Sequence, residues 1–457
     1  MAWIPAYIRR NVRVGSRANV AERDFPHASV IEGVRFTAQV ALPNLIQGLL
    51  RKRKHASAIA SRTGADGLAV GFLAGVKRSY GEGPVWIRVA KDEALLLLGR
   101  GPIRRVLEGS PDPFAADPEP KRSAMSHFQP HALTISRDGE WEDRRRFTDA
   151  VLDAGMSSLA DRFAEVCAEE SARLPEDLDW DVWNRAVRRV TRRIILGDGA
   201  ADDDSISEML GELMDKSNPP GGGDSELYER YTAALERYVD AAEPGSLVGL
   251  FGTAPVTERT DPAGQVTHWL FALGDTLAIN ALRCLALLAA FDREREQVSE
   301  EIAKADLRTG AGVDSLKRLE ACLQEAMRLW PTTAMLSREA VHDVDWDGAT
   351  IPAGKQVLIV NTFNHRDDDA VPFADRFDPD AWLSGDAADD WLFNHFSHGP
   401  QGCPGTTLAL CVGKAMLAAL LEPGNEVRLR SPRIDPAKPL PHTLDFFGLS
   451  FTLGSAL

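Results

Sequence analysis

The segment Phe396-Ser-His-Gly-Pro-Gln-Gly-Cys-Pro-Gly405 contains residue types that can make a cysteine a thiolate ligand. Its glycines carry no side chains, so backbone N–H groups can approach the sulfur of Cys403 closely. Pro404 suits the first position of a helix, and the dipole of that helix favours a negative charge at its amino-terminal end. An isolated cysteine near a helix start is usually a small core residue, but the full pattern predicts an anionic Cys403.

The other cysteines indicate neither a disulfide framework nor a structural zinc site. The chain has 5 cysteines, an odd number, and none of them forms a C-x-x-C pair. One unusual cysteine is therefore expected. The four others are Cys167, Cys284, Cys322 and Cys411.

Asp275 and Thr276 are adjacent polar residues inside a long apolar stretch, residues 268–291. The stretch is apolar over most of its circumference, which predicts a helix that runs through the core. A carboxylate and a hydroxyl are costly there unless they meet water, a ligand or polar partners. They indicate either a functional polar site or a helix interruption that its own backbone satisfies.

Glu325 and Arg328 lie three residues apart, on one face of a helix predicted to end near Trp330. Pairs at this spacing are common on protein surfaces, where they contribute little to stability. The flanking residues, such as Leu323 and Met327, make this helix largely apolar. The apolar surroundings favour a special role for the pair.

Taken together, these motifs resemble those of the cytochrome P450 family. The cysteine segment matches the heme-binding pattern F-x-x-G-x-x-x-C-x-G, with Phe396, Gly399, Cys403 and Gly405 in register. The resemblance implies a mainly α fold with a minor β region and heme b (iron protoporphyrin IX) as cofactor, with the Cys403 thiolate bound to the iron. Gln401 departs from the family, since many bacterial members carry a basic residue there toward a heme propionate.

The resemblance also implies roles for Asp275 and Thr276, the two adjacent polar residues of the apolar helix, which we call its polar step. Asp275 would act as a proton relay and Thr276 as the hydrogen-bonding alcohol during oxygen chemistry. Leu273 and Leu277 stand where the family usually has a glycine and a second hydroxyl, and Gly274 is the candidate for opening the helix instead.

Three arginines take places that the family gives to structural or propionate-binding residues. Arg376 would join Glu325 and Arg328 in a network that holds the proximal side in shape for heme insertion. Arg338 matches a propionate-binding position. The family's W-x-x-x-R motif places two further propionate donors at Trp141 and Arg145.

The implied reaction is insertion of one oxygen atom from O₂ into a small organic, largely apolar substrate. No flavin or iron–sulfur domain is recognised in the sequence, so ferredoxin and ferredoxin reductase are the expected electron donors, and Arg144 and Arg146 the candidate docking residues. Alternatives are a peroxide-driven or non-oxygenating heme-thiolate enzyme, a non-catalytic heme-binding helper protein, and a heme-free scaffold. By family position, the candidate substrate-pocket residues are Thr332, Thr333, Met335, Leu336, Phe446 and Phe447.

Composition agrees with a globular enzyme. The chain has 457 residues, 44% of them hydrophobic, and a formal net charge of −15, which disfavours nucleic acid as a partner. The apolar run at residues 284–291 is far shorter than a membrane span, and the amino terminus lacks the apolar core of a secretion signal. We therefore expect a cytoplasmic protein without membrane contact, and the family suggests secondary metabolism.

The chain is expected to form one heme-thiolate domain over residues 61–457, with residues 1–60 unassigned but part of the same domain. Apolar periodicity predicts the elements that hold the site. The predictions are a strand at 84–89, short helices at 92–98 and 103–107, mostly helix over 140–268, short strands over 341–363, an irregular meander over 367–395, a helix at 404–421 and a β-like tail at 444–453.

Overall fold

The computed structural model of the chain describes residues 24–218 and 222–455. Helices dominate it, in agreement with the predicted fold class. In chain order the α-helices are α1 (Val30–Phe36), α2 (Leu42–Gln47), α3 (Lys54–Thr63), α4 (Ala65–Tyr80), α5 (Arg100–Glu108), α6 (Glu119–Met125), α7 (Asp138–Ser171), α8 (Trp180–Leu196), α9 (Asp204–Ser217), α10 (Ser225–Ala241), α11 (Pro262–Phe271), α12 (Ala278–Ala290), α13 (Asp292–Ile302), α14 (Gly310–Asp314), α15 (Lys317–Leu329), α16 (Asn361–Asn364), α17 (Asp380–Leu383) and α18 (Thr406–Leu420).

Shorter helical segments of other types connect several of these helices. Two π-helical segments are Thr37–Ala41, between α1 and α2, and Ala272–Leu277, between α11 and α12. The 3₁₀ segments are Leu133–Ile135, Asp198–Ala200, Val248–Thr253 and Phe446–Gly448.

The strands form small sheets at the edges of the helical body. One sheet has the order β1-β2-β8-β5-β3, with β2 and β8 parallel; a second has the order β4-β10-β9, and β6 pairs with β7. The strands are β1 (Val85–Val89), β2 (Asp92–Leu97), β3 (Phe114–Ala115), β4 (Asp177–Asp179), β5 (Leu336–Ala340), β6 (Val344–Trp346), β7 (Ala349–Ile351), β8 (Gln356–Ile359), β9 (Asn425–Ser431) and β10 (Ser450–Ser455).

The prediction of a short helix at residues 92–98 is wrong. These residues form β2, which pairs antiparallel with β1 after a turn at Ala90 (φ 56°) and parallel with β8 on its other edge. Ala94 to Leu97 are buried. A short apolar run of this kind has no periodicity that separates a buried strand from a buried helix, and here the partner strands decide.

The prediction of a core helix is confirmed by Pro262–Ala290, which we call the central helix. It consists of α11, the π-helical segment Ala272–Leu277 and α12, and it packs against α8, α15 and α18. Within the described residues it is long and apolar enough to cross a membrane, but 72% of its most apolar stretch is buried inside the protein. Such burial is typical of the core helix of a globular protein.

Part of the unassigned segment 1–60 lies outside the described residues, which begin at residue 24. From there onward, α1 packs against β1 and the side chain of Phe36 is completely buried in a cluster with Phe72 and Phe363. In this described part the segment is joined to the rest of the protein by apolar contacts.

Candidate functional site

The loop before α18 holds Cys403 through close backbone contacts. The Cys403 N–H donates to the Phe396 carbonyl (2.8 Å), and the Gly402 N–H donates to the Gly399 carbonyl (2.9 Å). Gly399 has a φ of +72°, and a Cβ there would lie 2.1 Å from the carbonyl oxygen of Leu107. Only glycine fits this position, because a side chain would meet both the strained backbone and a rigid carbonyl group.

The thiol of Cys403 differs from the other four thiols because its side chain is exposed, whereas theirs are buried. Surrounding protein atoms still desolvate it and raise its pKa, against the effects of hydrogen bonds from Gly405 and Thr406 and of the charge of Arg145. The protein environment alone therefore does not make Cys403 an anion, which corrects the inference from the helix start. A bound metal cation would reverse this balance.

Arg145 reaches the same loop from α7. Its Nη1 donates to the carbonyls of Gly402 (2.8 Å) and Pro400 (3.1 Å), and its Nε pairs with Asp149 at 2.7 Å. Trp141, four residues earlier on the same helix, is half-buried. Arg145 thus fixes the cysteine loop in place. These contacts use its Nε and Nη1 atoms.

Arg338, on β5, is a buried cation whose partners are all uncharged. Its Nε donates to the Ser110 hydroxyl (3.1 Å), Nη1 to the Ser337 carbonyl (3.1 Å) and Nη2 to the hydroxyl of Ser397 (3.2 Å) in the cysteine loop. Burial lowers the pKa of Arg338 to about 10. In the described part of the chain no carboxylate forms an ion pair with it, so an incoming carboxylate would supply the missing counter-charge.

Lys121 is a second, half-buried cation in the electrostatic range of Arg338, and sequence reasoning missed it. Its Nζ donates to the carbonyls of Ala116 and Thr134 and to the Thr134 hydroxyl, at 2.8 to 3.0 Å. Burial and, to a smaller extent, the charge of Arg338 lower the pKa of Lys121 to about 7. Two neighbouring cations held by neutral groups fit the heme carboxylates that the family implies.

Asp275 is held from α8 rather than by its own helix. Its Oδ1 accepts hydrogen bonds from Arg188 (2.7 and 3.1 Å) and from Asn184 (3.2 Å), which also donates to the Gly274 carbonyl (2.8 Å). Thr276 is partly exposed, and its hydroxyl makes no hydrogen bond with residues 24–218 or 222–455. The interpretation that the helix backbone satisfies both side chains is therefore wrong.

The π-helical segment explains how α8 reaches this point. A Cβ on Gly274 would lie 3.3 Å from Cγ of Arg188, so glycine permits the close packing of the two helices. The helix opening that Leu273 and Leu277 made doubtful is present around Gly274 as the segment Ala272–Leu277. Arg188 and Asn184 had no signal in the sequence, because their role depends on a contact between distant helices.

Glu325 and Arg328 form a completely buried, two-pronged ion pair on α15. Both N···O distances are 2.7 Å, from Nε to Oε2 and from Nη2 to Oε1. Arg376 joins through its backbone carbonyl, which accepts from Arg328 at 2.9 Å, while its exposed side chain bonds to the Pro372 carbonyl. The implied triad is thus an ion pair with a backbone contact from the meander.

Two residues that the sequence did not reveal complete this network. The Trp382 indole N–H donates to Glu325 Oε2 (2.8 Å). His365 accepts from the Asn394 N–H (2.8 Å) through Nε2 and bonds to the Arg328 carbonyl (3.1 Å) through Nδ1. Burial holds the pKa of His365 well below its ordinary value. The network therefore connects α15 to the backbone just before the cysteine loop.

The docking prediction is wrong for Arg144. This side chain is buried and donates to the Ser136 hydroxyl (2.7 Å) and the Arg259 carbonyl (3.1 Å). Arg146 is mostly exposed and lies 3.5 Å from Asp143. A side chain with internal partners and no surface cannot attract another protein, so only Arg146 of the two remains available.

One small cavity, with a volume of about 50 Å³, lies beside the central helix. Ile279 and Arg283 of the central helix line it, together with Thr332 and Phe446 from the predicted pocket set. The other predicted pocket residues are not among its lining residues. They are Thr333, Met335, Leu336 and Phe447.

Comparison with known proteins identifies the class of protein. Residues 259–423 match the family model described as Cytochrome P450. The solved structure of retinoic acid bound cyanobacterial CYP120A1 has the same fold, with a TM-score of 0.68, 19% sequence identity, and coverage of 84% of this chain and 94% of that chain. Residues 259–423 therefore belong to the cytochrome P450 family, and the chain has the cytochrome P450 fold, as the sequence predicts.

Curated relatives match part of the chain. Cytochrome P450 4c3 from Drosophila melanogaster is 29% identical over 197 residues, which are 41% of this chain and 35% of that protein. Cyclooctat-9-en-7-ol 5-monooxygenase from Streptomyces melanosporofaciens is 28% identical over 229 residues, which are 46% of this chain and 49% of that protein. The chain spans less than half of the length of these relatives. The family consists of oxidoreductases that bind heme.

Proposed function

We propose that this protein is a cytoplasmic heme-thiolate monooxygenase, with Cys403 as the iron ligand and heme b as the cofactor. The reaction is insertion of one oxygen atom from O₂ into a small organic, largely apolar substrate. The observation that carries the proposal is the pairing of an exposed Cys403 thiol with the buried Arg338, which is hydrogen-bonded to the same loop through Ser397. A thiolate ligand and a cation for a propionate are the two requirements of a heme of this type.

Different residues of the chain would bind the iron, position the cysteine loop and bind the propionates. When bound, the heme supplies the activation of dioxygen. Cys403 would hold the iron, and Arg145 would keep the cysteine loop rigid through its two carbonyl contacts. Arg338 and Lys121 would neutralise the propionates, and because their hydrogen-bond partners are uncharged, a carboxylate would be a favourable partner.

Proton delivery is the proposed role of the polar step in the central helix. About 15% of the Asp275 side chain is exposed, so water can reach its carboxylate. Its hydrogen bonds with Arg188 and Asn184 would orient its carboxylate for this role. The Thr276 hydroxyl would then donate a hydrogen bond on the substrate side, because it is not engaged by its own helix.

Electrons are proposed to come from separate proteins, a ferredoxin and its reductase. Their docking surface would be the side of the cysteine loop, where the exposed Arg146 can attract an acidic partner. Charge reversal of Arg146 is expected to slow reduction by ferredoxin and to make it less sensitive to salt, and unchanged reduction kinetics would remove this surface from consideration.

The first experiment is the absorption spectrum of the purified protein after reduction and exposure to carbon monoxide. The wild type is expected to show the strongly red-shifted Soret band of a thiolate-bound heme, and Cys403→Ser is expected to lose it. Cys411→Ser is the matched control, because Cys411 is buried on the following helix and should not affect the spectrum. Denaturation with pyridine would identify the released heme as heme b.

Different results would select the other functions. A heme-free protein, or a Cys403→Ser variant with an unchanged spectrum, would contradict the proposal. Turnover with hydrogen peroxide but not with O₂ and a reductant would indicate a peroxide-driven enzyme, for which Leu273 and Leu277 are the motivating departures. A thiolate-type spectrum without turnover of any oxidant would indicate a heme-binding helper protein.

A further inference from the structure

The first helical run of the described chain exposes a row of aliphatic side chains. α1, the π-helical segment Thr37–Ala41 and α2 follow one another without a break, so residues 30–47 form one helical run about 27 Å long. Exposed apolar residues recur along it at every fourth position, and residues four apart lie on one face of a helix. They are Val30, Val34, Ala38, Leu42 and Ile46, together with Ile31 and, just after the helix, Leu49. We call these residues the aliphatic stripe.

The inner face of the same run is partly polar, so the usual distribution is reversed here. Phe36 and Val40 are buried, but so are the amide side chains of Asn44 and Gln47. Ten large apolar side chains are exposed in residues 24–218 and 222–455, and eight of them lie between residues 30 and 68. Single exposed apolar residues are normal, whereas a contiguous group marks a surface that binds something apolar.

The segment that carries the stripe is basic, although the chain as a whole is acidic. Residues 30–54 contain five cations and one carboxylate, whereas the formal net charge of the chain is −15. Three of these cations are exposed, one beside the stripe and two just beyond its end. They are Arg35, Arg53 and Lys54. The stripe therefore combines an apolar surface with a local positive charge.

We propose that the aliphatic stripe and its flanking cations bind the surface of an anionic membrane. The aliphatic side chains would enter the boundary between headgroups and acyl chains, and the cations would face the anionic headgroups. The contact would be peripheral and from the cytoplasmic side. It replaces only the expectation from the sequence that the protein makes no membrane contact, and it does not depend on the proposed function.

Charge complementarity favours a membrane over a second copy of this chain. In a symmetric dimer the same segment would face itself. Its one carboxylate, Glu32, already accepts hydrogen bonds from the Ser29 hydroxyl (2.7 Å) and the Tyr80 hydroxyl (2.8 Å). The cations would then meet no free counter-charge, whereas anionic headgroups supply it. The stripe also contains no tryptophan, tyrosine or arginine, the residues that dominate the binding energy of protein interfaces.

The test is cosedimentation of the purified, heme-loaded protein with lipid vesicles. The wild type should bind vesicles of equal parts phosphatidylcholine and phosphatidylglycerol more tightly than vesicles of phosphatidylcholine alone, and salt should reduce this difference. Val34→Ser/Leu42→Ser should weaken binding to both by about 100-fold, because each aliphatic side chain lost from the bilayer costs about 10-fold. Lys54→Gln should weaken binding to the anionic vesicles alone, by about 5-fold.

Matched variants separate the stripe from the rest of the surface. Val256→Ser/Leu383→Ser changes the two exposed aliphatic side chains outside residues 30–68, and Lys304→Gln changes an exposed cation elsewhere; both should bind like the wild type. The thermal unfolding temperature should stay the same in every variant, because all the changed side chains are exposed.

Two results would overturn the proposal. One is absence of binding to either vesicle, or undiminished binding by Val34→Ser/Leu42→Ser. The other is a lipid-independent dimer in analytical ultracentrifugation that the same two substitutions dissociate, since the stripe would then be a contact between copies. Vesicle binding needs neither reduction nor turnover, so it succeeds or fails independently of the carbon monoxide experiment.

Discussion

Glu325→Gln is expected to destabilise the protein strongly, although it changes one oxygen into an amide nitrogen. In the native protein, the two carboxylate oxygens of Glu325 accept two hydrogen bonds from Arg328, one from the Trp382 indole and one from the Asp378 N–H. The glutamine has one acceptor oxygen in place of two and presents N–H groups to N–H groups. Both members of the ion pair have no exposed side-chain surface, so Arg328 would remain as a buried, uncompensated charge.

Breaking a buried ion pair by removing one charge costs about 3–5 kcal/mol. Folded proteins are stable by only about 5–15 kcal/mol, so this change would remove a large share of the free energy of unfolding. Urea unfolding followed by circular dichroism would measure the loss. Trp382→Phe is the comparison, because it removes one hydrogen bond to the same carboxylate and should cost about 1.5–3 kcal/mol. A loss below about 1 kcal/mol for Glu325→Gln would refute the reasoning.

The other predictions concern the glycine of the cysteine loop, a buried histidine and the ion pair of the central helix. Gly399→Ala should lower heme content and shift the carbon monoxide spectrum, because its Cβ would lie 2.1 Å from a backbone carbonyl; normal heme content would contradict this. His365 is held neutral by burial, so its stabilising effect is complete above about pH 6.5 and is lost as the pH falls below this value, by up to about 1.4 kcal/mol per pH unit. Unfolding of His365→Gln should depend less on pH between 5 and 6.5, and an identical pH dependence would count against the assignment. Arg188→Leu should slow O₂-driven turnover by freeing Asp275, while Arg185→Leu, at an exposed position one turn away, should not; equal rates in both variants would dissociate Arg188 from proton delivery.

The chemistry of the cysteine loop was predictable because it is local. The glycines, Pro404 and Cys403 are adjacent in sequence, and their residue types alone indicate a tight loop before a helix. The charge state of Cys403 was not predictable in the same way. The helix start favours a thiolate, but desolvation raises the pKa of the thiol, and this effect is larger than those of its hydrogen bonds.

The partners of the polar residues were hidden for a similar reason. Arg188 lies 87 positions from Asp275, and Trp382 lies 57 positions from Glu325. Such contacts depend on how helices and the meander pack, which no local pattern records. The strand β2 was mispredicted for the same reason. Its partner β8 comes from a distant part of the chain, and the pairing makes an ambiguous apolar run a central strand.

The packing of the central helix accounts for Leu273 and Leu277, which replace the glycine and the second hydroxyl that are usual in the family. Gly274 lets α8 approach within van der Waals contact, and this approach brings Arg188 onto Asp275. An ion pair at this point fixes the helix opening from outside, so the opening does not need the usual glycine or the second hydroxyl at positions 273 and 277. Leucines can then fill those positions, and both are buried.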